Sequence, residues 1–459
     1  MIERLASDSR RCAPGVAFFA YPGEAADGRR HIGDALGRGA AAVLWEEKDF
    51  AWRDEWRVPN APVAGLKQRA GAIAAAFYGR PSESLWVCGV TGTNGKTSCS
   101  HWIAAALNRK QVRAQVIGTL GYGTPGSLQP LGNTTPDALE VQALLKTFVE
   151  QSAEAVAMEV SSHGLEQGRV NAVGFDCALF TNLSHDHLDY HGTMAAYAEA
   201  KAQLFEAPGL SVAVVNLDDA VGTQFAARAK KAGARTIGYG FADAPAAAVD
   251  EYLPASLLPV DHARQLGRFN VANVLGVLGC LVAYGIERKA ALALVADLPP
   301  VPGRMQRVAE RPLVVVDYAH TPDAIEKVLQ ALRPLAQARA GRLAVVFGAG
   351  GDRDPVKRPL MGAAAARFAD RALVTSDNPR SEDPLAIISQ IEQGMPGGHD
   401  VEADRARAIE QVILEAAPED VVLIAGKGHE GYQEIAGRRL PFSDADAARA
   451  AVAKRRGPR

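Results

Sequence analysis

The sequence predicts an α/β protein of three domains built on parallel sheets, and three observations carry that prediction. Short apolar runs alternate with helix-compatible stretches along most of the chain, the pattern of buried parallel strands and their crossovers. The apolar run at residues 85–90 leads into Thr91-Gly92-Thr93-Asn94-Gly95-Lys96-Thr97, a glycine turn that opens a helix. Pro299-Pro300-Val301-Pro302-Gly303 then interrupts the series, because clustered prolines stop helices and stiffen a chain. A chain of 459 residues has room for roughly two to four cores. The expected units are residues 1–83, 84–301 and 302–459.

In the first unit, Val16–Ala20 and 41–45 read as strands, with a helix at 32–38 between them. Tyr21-Pro22-Gly23 is a turn, and Asp8-Ser9-Arg10 taken alone is local turn chemistry. In the second, 85–90, 155–160, 177–181 and Val212–Asn216 are apolar runs bounded by polar turns, as in a doubly wound sheet. Alanine-rich 242–249 reads as a surface excursion. In the third, Leu313–Asp317, Leu343–Phe347, 372–375 and Val421–Ala425 are strands separated by helical patterns. Gly348-Ala349-Gly350-Gly351 hints at a dinucleotide loop, but its last glycine position is Arg353, which argues against such a site.

A formal charge of −2 leaves no electrostatic footprint for nucleic acid, and the basic end, residues 454–459, reads as a solvated tail. No apolar stretch reaches membrane-spanning length and the polar start lacks a signal-peptide core, so a cytoplasmic protein is expected. Five scattered cysteines without metal-site spacing predict reduced thiols and no structural zinc.

The glycine turn is a phosphate cradle in type. Backbone N–H groups of Gly92, Thr93, Asn94, Gly95, Lys96, Thr97 and Ser98 would converge on an anion at a helix start. Lys96 would reach the outer phosphates of ATP, and the Thr97 hydroxyl would hold Mg²⁺. Val90 occupies the usual first glycine position, so Gly92 takes over the tight turn. Glu159 closes a neighbouring strand, where P-loop proteins place a magnesium ligand; a helix cap is the alternative. Ser184-His185-Asp186-His187-Leu188-Asp189-Tyr190-His191 fits no zinc pattern, and its spacing does not choose which histidine meets a second Mg²⁺ or a phosphate. Lys201 falls on the apolar stripe of a helix with Tyr197, Leu204 and Phe205. It either snorkels or is desolvated, and a desolvated neutral amine can take up carbon dioxide as a carbamate. Arg353, Asp377-Asn378-Pro379-Arg380 and Gly426-Lys427-Gly428-His429-Glu430 all follow strands. Two arginine forks and two acids suit a zwitterionic substrate, with solvated loop charge as the alternative.

These segments in this order resemble the Mur ligase family. The resemblance runs over nearly the whole chain and adds Asp27-Gly28, Asn133-Thr134-Thr135, Phe269-Asn270, Gly303-Arg304-Met305 and Asp317-Tyr318-Ala319-His320-Thr321-Pro322. It implies a small N-terminal uridine-nucleotide domain, a central P-loop ATPase-like domain and a C-terminal Rossmann-like amino-acid domain. Ser7, Ser9, Glu24, Ala25 and Ala26 match positions at the uridine end. Asn133, Thr134, Thr135, Ser161, Gln167 and Arg169 match contacts to the rest of that substrate. Glu159 and His187 match magnesium ligands, and Lys201 matches the carbamylated lysine. Asn270, Arg304 and Asp317 resemble ATP contacts; Arg353, Asp377, Asn378, Pro379, Arg380, Gly426 and Glu430 resemble contacts to the incoming amino acid. His185 stands where family members commonly carry arginine, and Val16 where they often carry aspartate.

What the resemblance implies is ATP-driven amide ligation in a monomer. A carboxylate of UDP-N-acetylmuramoyl-L-alanyl-D-glutamate would be activated and joined to meso-diaminopimelate, with two Mg²⁺ ions. Arg380 carries the expectation of diaminopimelate rather than L-lysine, because only the former brings a second carboxylate to its far end. The lysine-adding branch of the family, a folylpolyglutamate-type ligase and a non-catalytic nucleotide-binding regulator are the alternatives.

Overall fold

The computed structural model describes residues 1–24, 26–242, 248–258 and 267–455. Ala25, most of the expected excursion at 242–249 and the basic end from residue 456 lie outside the described residues. Three parallel-based sheets organise the chain, with a separate hairpin pairing Tyr432–Ile435 with Arg438–Pro441.

The first sheet is four parallel strands in the order Arg4–Ala6, Val16–Ala20, Ala42–Glu46, Asn60–Val63. Val16–Ala20 is buried along its whole length, which is why it was legible as an unbroken apolar run. Asn60–Val63 is mostly exposed and carries no such signal. The helix expected at 32–38 runs Ile32–Gly37.

The central sheet has nine strands. Glu251–Pro254, Arg235–Gly240, Val212–Asn216, Cys177–Phe180, Trp86–Thr91, Ala155–Glu159 and Ala114–Gly118 are parallel neighbours in that order. Gly121–Thr124 and Ser127–Gln129 extend the far edge as an antiparallel meander. Trp86–Thr91 therefore sits mid-sheet, with Thr91 opposite Phe180 and Val90 opposite Glu159. Helix Lys96–Arg109 covers one face together with Arg268–Tyr284, which is apolar nearly all round and buried accordingly. Asp137 starts Ala138–Glu150 on the other face by accepting from the N–H groups of Leu139 and Glu140 at 2.9 and 3.1 Å.

The third sheet runs Gln306–Glu310, Leu313–Asp317, Val421–Ala425, Leu343–Phe347, Arg371–Val374, Asp400–Val401, antiparallel only at its first pair. Thr321 caps helix Pro322–Ala338, with proline at its first position, where no backbone donor is required. Three of the five cysteines, dispersed in sequence, meet in space. Cys88 and Cys177 are paired across two strands, and Cys280 covers them at 3.8 and 3.9 Å, all fully buried among apolar side chains. No helix among the described residues is long and apolar enough to cross a membrane.

Candidate active site

Because Trp86–Thr91 is flanked on both sides by parallel strands, its carboxyl end delivers the glycine loop to three converging strand ends. Gly92 and Gly95 have φ of +149° and +87°, which side-chain-bearing residues rarely adopt. A Cβ on Gly92 would stand 1.9 Å from Thr181 Oγ1, and one on Gly95 would stand 2.5 Å from Asn273 Oδ1. The loop is held from the next strand's end. Thr93 N donates to Asn182 O at 2.8 Å, Asn94 N donates to Asn182 Oδ1 at 3.0 Å, and Thr181 Oγ1 donates to Asn94 O at 2.6 Å.

Positive charge collects here without a partner. Helix Lys96–Arg109 starts with no side-chain cap. Lys96 Nζ donates to the carbonyls of Gly92 and Thr93 at 2.8 and 2.9 Å, and Lys201 Nζ donates to the same Gly92 carbonyl at 3.0 Å. Arg304 Nη2 donates to Thr97 Oγ1 at 3.0 Å, while its buried Nη1 has no partner among the described residues. Among the described residues, neither Lys96 nor Lys201 nor Arg304 lies in ion-pair range of a carboxylate. Burial pulls the Lys96 amine below its ordinary value, against the attraction of Glu159 and Asp186. Lys201, 1% exposed, is held far below its ordinary value by burial and then by Lys96. Its amine is therefore interior and does not snorkel. An uncapped helix start with converging unpaired cations fits a polyphosphate.

Glu159 is the last residue of its strand. Its Oε2 accepts from Thr97 Oγ1 at 3.0 Å and Thr119 Oγ1 at 3.1 Å, and its Oε1 accepts from Thr119 N at 2.8 Å. It does not cap a helix; Ser161 does that, accepting from Gly164 N at 3.0 Å. A buried carboxylate beside a threonine hydroxyl is a hard oxygen pair that suits Mg²⁺. The histidines separate by their partners. His191 is engaged by Ser162 at 2.9 Å and Glu166 at 3.0 Å. His187, at φ +55°, lies 6.0 Å from the Tyr197 ring, over which Lys201 Nζ sits at 4.4 Å. Burial drives the His187 imidazole down to about 3, against Asp186, which leaves it neutral and able to donate a lone pair.

A cleft of about 170 Å³ opens between the first two sheets, lined by Tyr21, Glu24, Lys67, Asn133, Gln167 and Arg169 among others. Arg169 is braced within it by Gln167 Oε1 and by the Thr135 carbonyl at 2.8 Å. Ser7 Oγ donates to Asp137 Oδ2 at 3.2 Å beside it. Thr134 Oγ1 lies 3.0 Å from Thr119 Oγ1, Thr135 Oγ1 donates to the Glu159 carbonyl at 2.9 Å, and Ala26 O accepts from Gly23 N at 2.8 Å. Ser9 is buried in a single turn. Thr135 and Ser161 thus spend their hydroxyls on local structure, while Asn133, Gln167 and Arg169 line the cleft.

In the third unit, Asp377, Asn378 and Pro379 are buried and Arg380 is half-buried. Asn378 Nδ2 donates to Glu430 Oε2 at 2.8 Å. Arg380 Nη1 donates to the Gly351 carbonyl at 2.5 Å. A Cβ on Gly350 would lie 3.0 Å from Arg380 Nη1 and 3.7 Å from Arg353 Cγ, so both arginines flank one glycine. A Cβ on Gly426 would stand 2.5 Å from Asp377 Oδ2. Nearer the glycine loop, Asn270 Oδ1 accepts from Asn273 Nδ2 at 3.4 Å, and Asp317 accepts from the N–H groups of Met305 and Ala319 at 2.7 and 2.8 Å.

Several residues that build this arrangement were not singled out in the sequence. Thr119, Thr181, Asn182 and Asn273 each hold a site group, and Asn182 directly follows an expected strand, which is the one signal available. The fully buried Arg405–Asp444 pair braces two strand ends, with Arg405 donating to the carbonyls of Ser376 and Ala425 at 3.2 and 2.9 Å.

Residues 1–78 match the family described as Mur ligase family, catalytic domain; residues 90–281 match the Mur ligase middle domain; residues 303–428 match the Mur ligase glutamate ligase domain. A UDP-N-acetylmuramoyl-L-alanyl-D-glutamate–2,6-diaminopimelate ligase of Chromobacterium violaceum is 51% identical over 457 residues, covering 96% of this chain and 92% of that protein. One of the same description from Ectopseudomonas mendocina is 49% identical over 471 residues, covering 99% and 95%. A solved structure of a ligase of that description superposes with a TM-score of 0.66 at 37% identity, covering 100% of this chain and 96% of its own. With three matched segments spanning most of its length in the family's own order, the chain belongs to the Mur ligase family.

Proposed function

We propose that this protein joins meso-diaminopimelate to the D-glutamyl carboxylate of UDP-N-acetylmuramoyl-L-alanyl-D-glutamate at the expense of ATP, in the cytoplasm and as a monomer. The observation that carries the reading is the meeting of unpaired Lys96, Lys201 and Arg304 with the Thr97–Glu159 pair at one end of the central sheet. The domains would be residues 1–83 for the uridine nucleotide, 84–301 for ATP and 302–459 for the amino acid. The substrate carboxylate attacks the γ-phosphorus of ATP, ADP leaves, and the amine then displaces phosphate from the acyl phosphate to give the amide. Lys96 and Arg304 stabilise charge growing on the transferred phosphoryl group. Thr97, Glu159, His187 and a carbamate on Lys201 would hold two Mg²⁺ ions, which neutralise phosphate charge when bound. The 170 Å³ cleft would take the nucleotide end of the long substrate. Arg353 and Arg380 would take the far carboxylate of diaminopimelate, with Asp377 and Glu430 taking its ammonium.

Phosphate release with the UDP-linked dipeptide, ATP and Mg²⁺, comparing meso-diaminopimelate with L-lysine, tests this. Release with diaminopimelate alone is the expected result, and Lys96→Ala should lower it at least a hundredfold. Preference for lysine would keep the ligase and overturn the specificity; no release with either would leave a silent nucleotide binder.

A further inference from the structure

Lys427 is fully buried, and its ammonium is held between an amide and two carboxylates. Nζ donates to Asn378 Oδ1 at 2.9 Å and to Glu430 Oε2 at 2.9 Å, and lies 3.8 Å from Asp377 Oδ1. Asn378 Nδ2 donates to the same Glu430 Oε2 at 2.8 Å, and Asn378 Oδ1 also accepts from Glu434 N at 2.9 Å. The consequence is asymmetric. Both bonds to Glu430 land on one oxygen, so among the described residues Oε1 is left without a partner on a side chain that is 19% exposed. Burying an ammonium costs several kcal/mol unless it is paired, so its place between two acids and an amide fixes all three.

Building on the proposed amino-acid site, we infer that Lys427 is a positioning and specificity residue for the incoming amino acid. It turns Glu430 Oε1 outward and cancels one of the two acidic charges. Arg353 and Arg380 flank Gly350 on the adjoining loop, whose Gly351 N–H donates to Asn378 O at 2.9 Å. Lys427 thus adds one positive charge beside the Asp377 and Glu430 carboxylates, on the side of the site that Arg353 and Arg380 also flank. That charge favours an amino-acid head that brings a carboxylate with its ammonium over a lone ammonium, as on a lysine side chain. Removing it shifts the balance toward the lone ammonium and leaves Asp377 and Glu430 to repel each other.

Steady-state phosphate release by the full-length chain reads this directly. In Lys427→Met, KM for meso-diaminopimelate should rise at least tenfold with a smaller loss in kcat. The ratio of kcat/KM for diaminopimelate over L-lysine should fall at least tenfold. Lys427→Arg, which keeps the charge, should hold that ratio within about threefold of the parent chain. If Lys427→Met folds poorly, Lys427→Gln keeps a donor for Asn378 Oδ1 without charge and serves in its place. Equal losses for both amino acids, or an arginine variant as unselective as the methionine one, would reduce Lys427 to a structural residue. A parent chain that releases phosphate with neither amino acid would instead overturn the ligase reading beneath it.

Discussion

Lys201 shows how one residue can set function against stability. The amine is 1% exposed, has one backbone carbonyl as its hydrogen-bond partner, and shares that carbonyl with Lys96. Its folded-state pKa is depressed well below the ordinary 10.5, so the unfolded chain binds more protons in the window between the two values. The cost to folding is full below the folded-state pKa, shrinks as pH rises, and vanishes above about 10.5. Lys201→Met removes that cost. With carbon dioxide excluded at neutral pH, it should unfold at a higher temperature, by about 2–4 °C for each kcal/mol recovered. It should also form no amide. Lys201→Ala should be nearly inactive and partly restored by a small added carboxylate, which stands in for the carbamate. Full activity of the alanine variant without rescue would show that no carbamate is needed. The sequence placed Lys201 on the buried stripe by its spacing from Tyr197 and Leu204, yet gave no sign that Lys96 would face it across Gly92.

At the scale of elements, what was legible is what burial writes into a strand. Leu313–Asp317, Leu343–Phe347 and Val421–Ala425 are buried at every position, and the expected bounds match the observed ones. Ser127–Gln129 and Asn60–Val63 are edges and Gly121–Thr124 lies next to one, all with exposed or half-buried side chains, and no apolar run marks them. The glycine loop was legible for the same reason as the strands: its chemistry is local. Its tight fit was not, because the wall that Gly92 touches comes from Thr181, about ninety residues further along the chain. Gly92→Ala should therefore displace the loop even though the neighbouring strands remain paired. Nucleotide affinity, measured by calorimetry, should fall at least tenfold. Adding Thr181→Ala relieves the contact with Oγ1 but not the φ of +149°, so the double variant should recover only part of the loss. Parental affinity in the single variant would mean that the loop does not contact the nucleotide.

For the whole molecule, the question is how the third unit learns that the glycine loop is occupied. The linker carries Arg304 from one to the other. On the third sheet it is pinned by Met305 N donating to Asp317 at 2.7 Å and by Gly303, where a Cβ would stand 2.2 Å from His429 N. On the central sheet the Arg304 guanidinium meets Thr97 at 3.0 Å, and it lies 4.3 Å from the Tyr318 ring centroid. Asn94 Nδ2 adds a second crossing, donating to Asp323 Oδ2 at 3.3 Å. Arg304 Nη1, without a partner among the described residues, can still gain a bond, and a phosphate in the loop would supply it. A non-hydrolysable ATP analogue with Mg²⁺ should then slow amide hydrogen exchange at two places together, residues 92–97 and residues 299–305. In Arg304→Ala the first should still be protected, at a lower affinity, while the second exchanges as it does without nucleotide. Chelating the metal should weaken both in the parent chain. Equal protection of the linker with and without Arg304 would assign the coupling to the Asn94–Asp323 crossing, which Asp323→Ala would then remove.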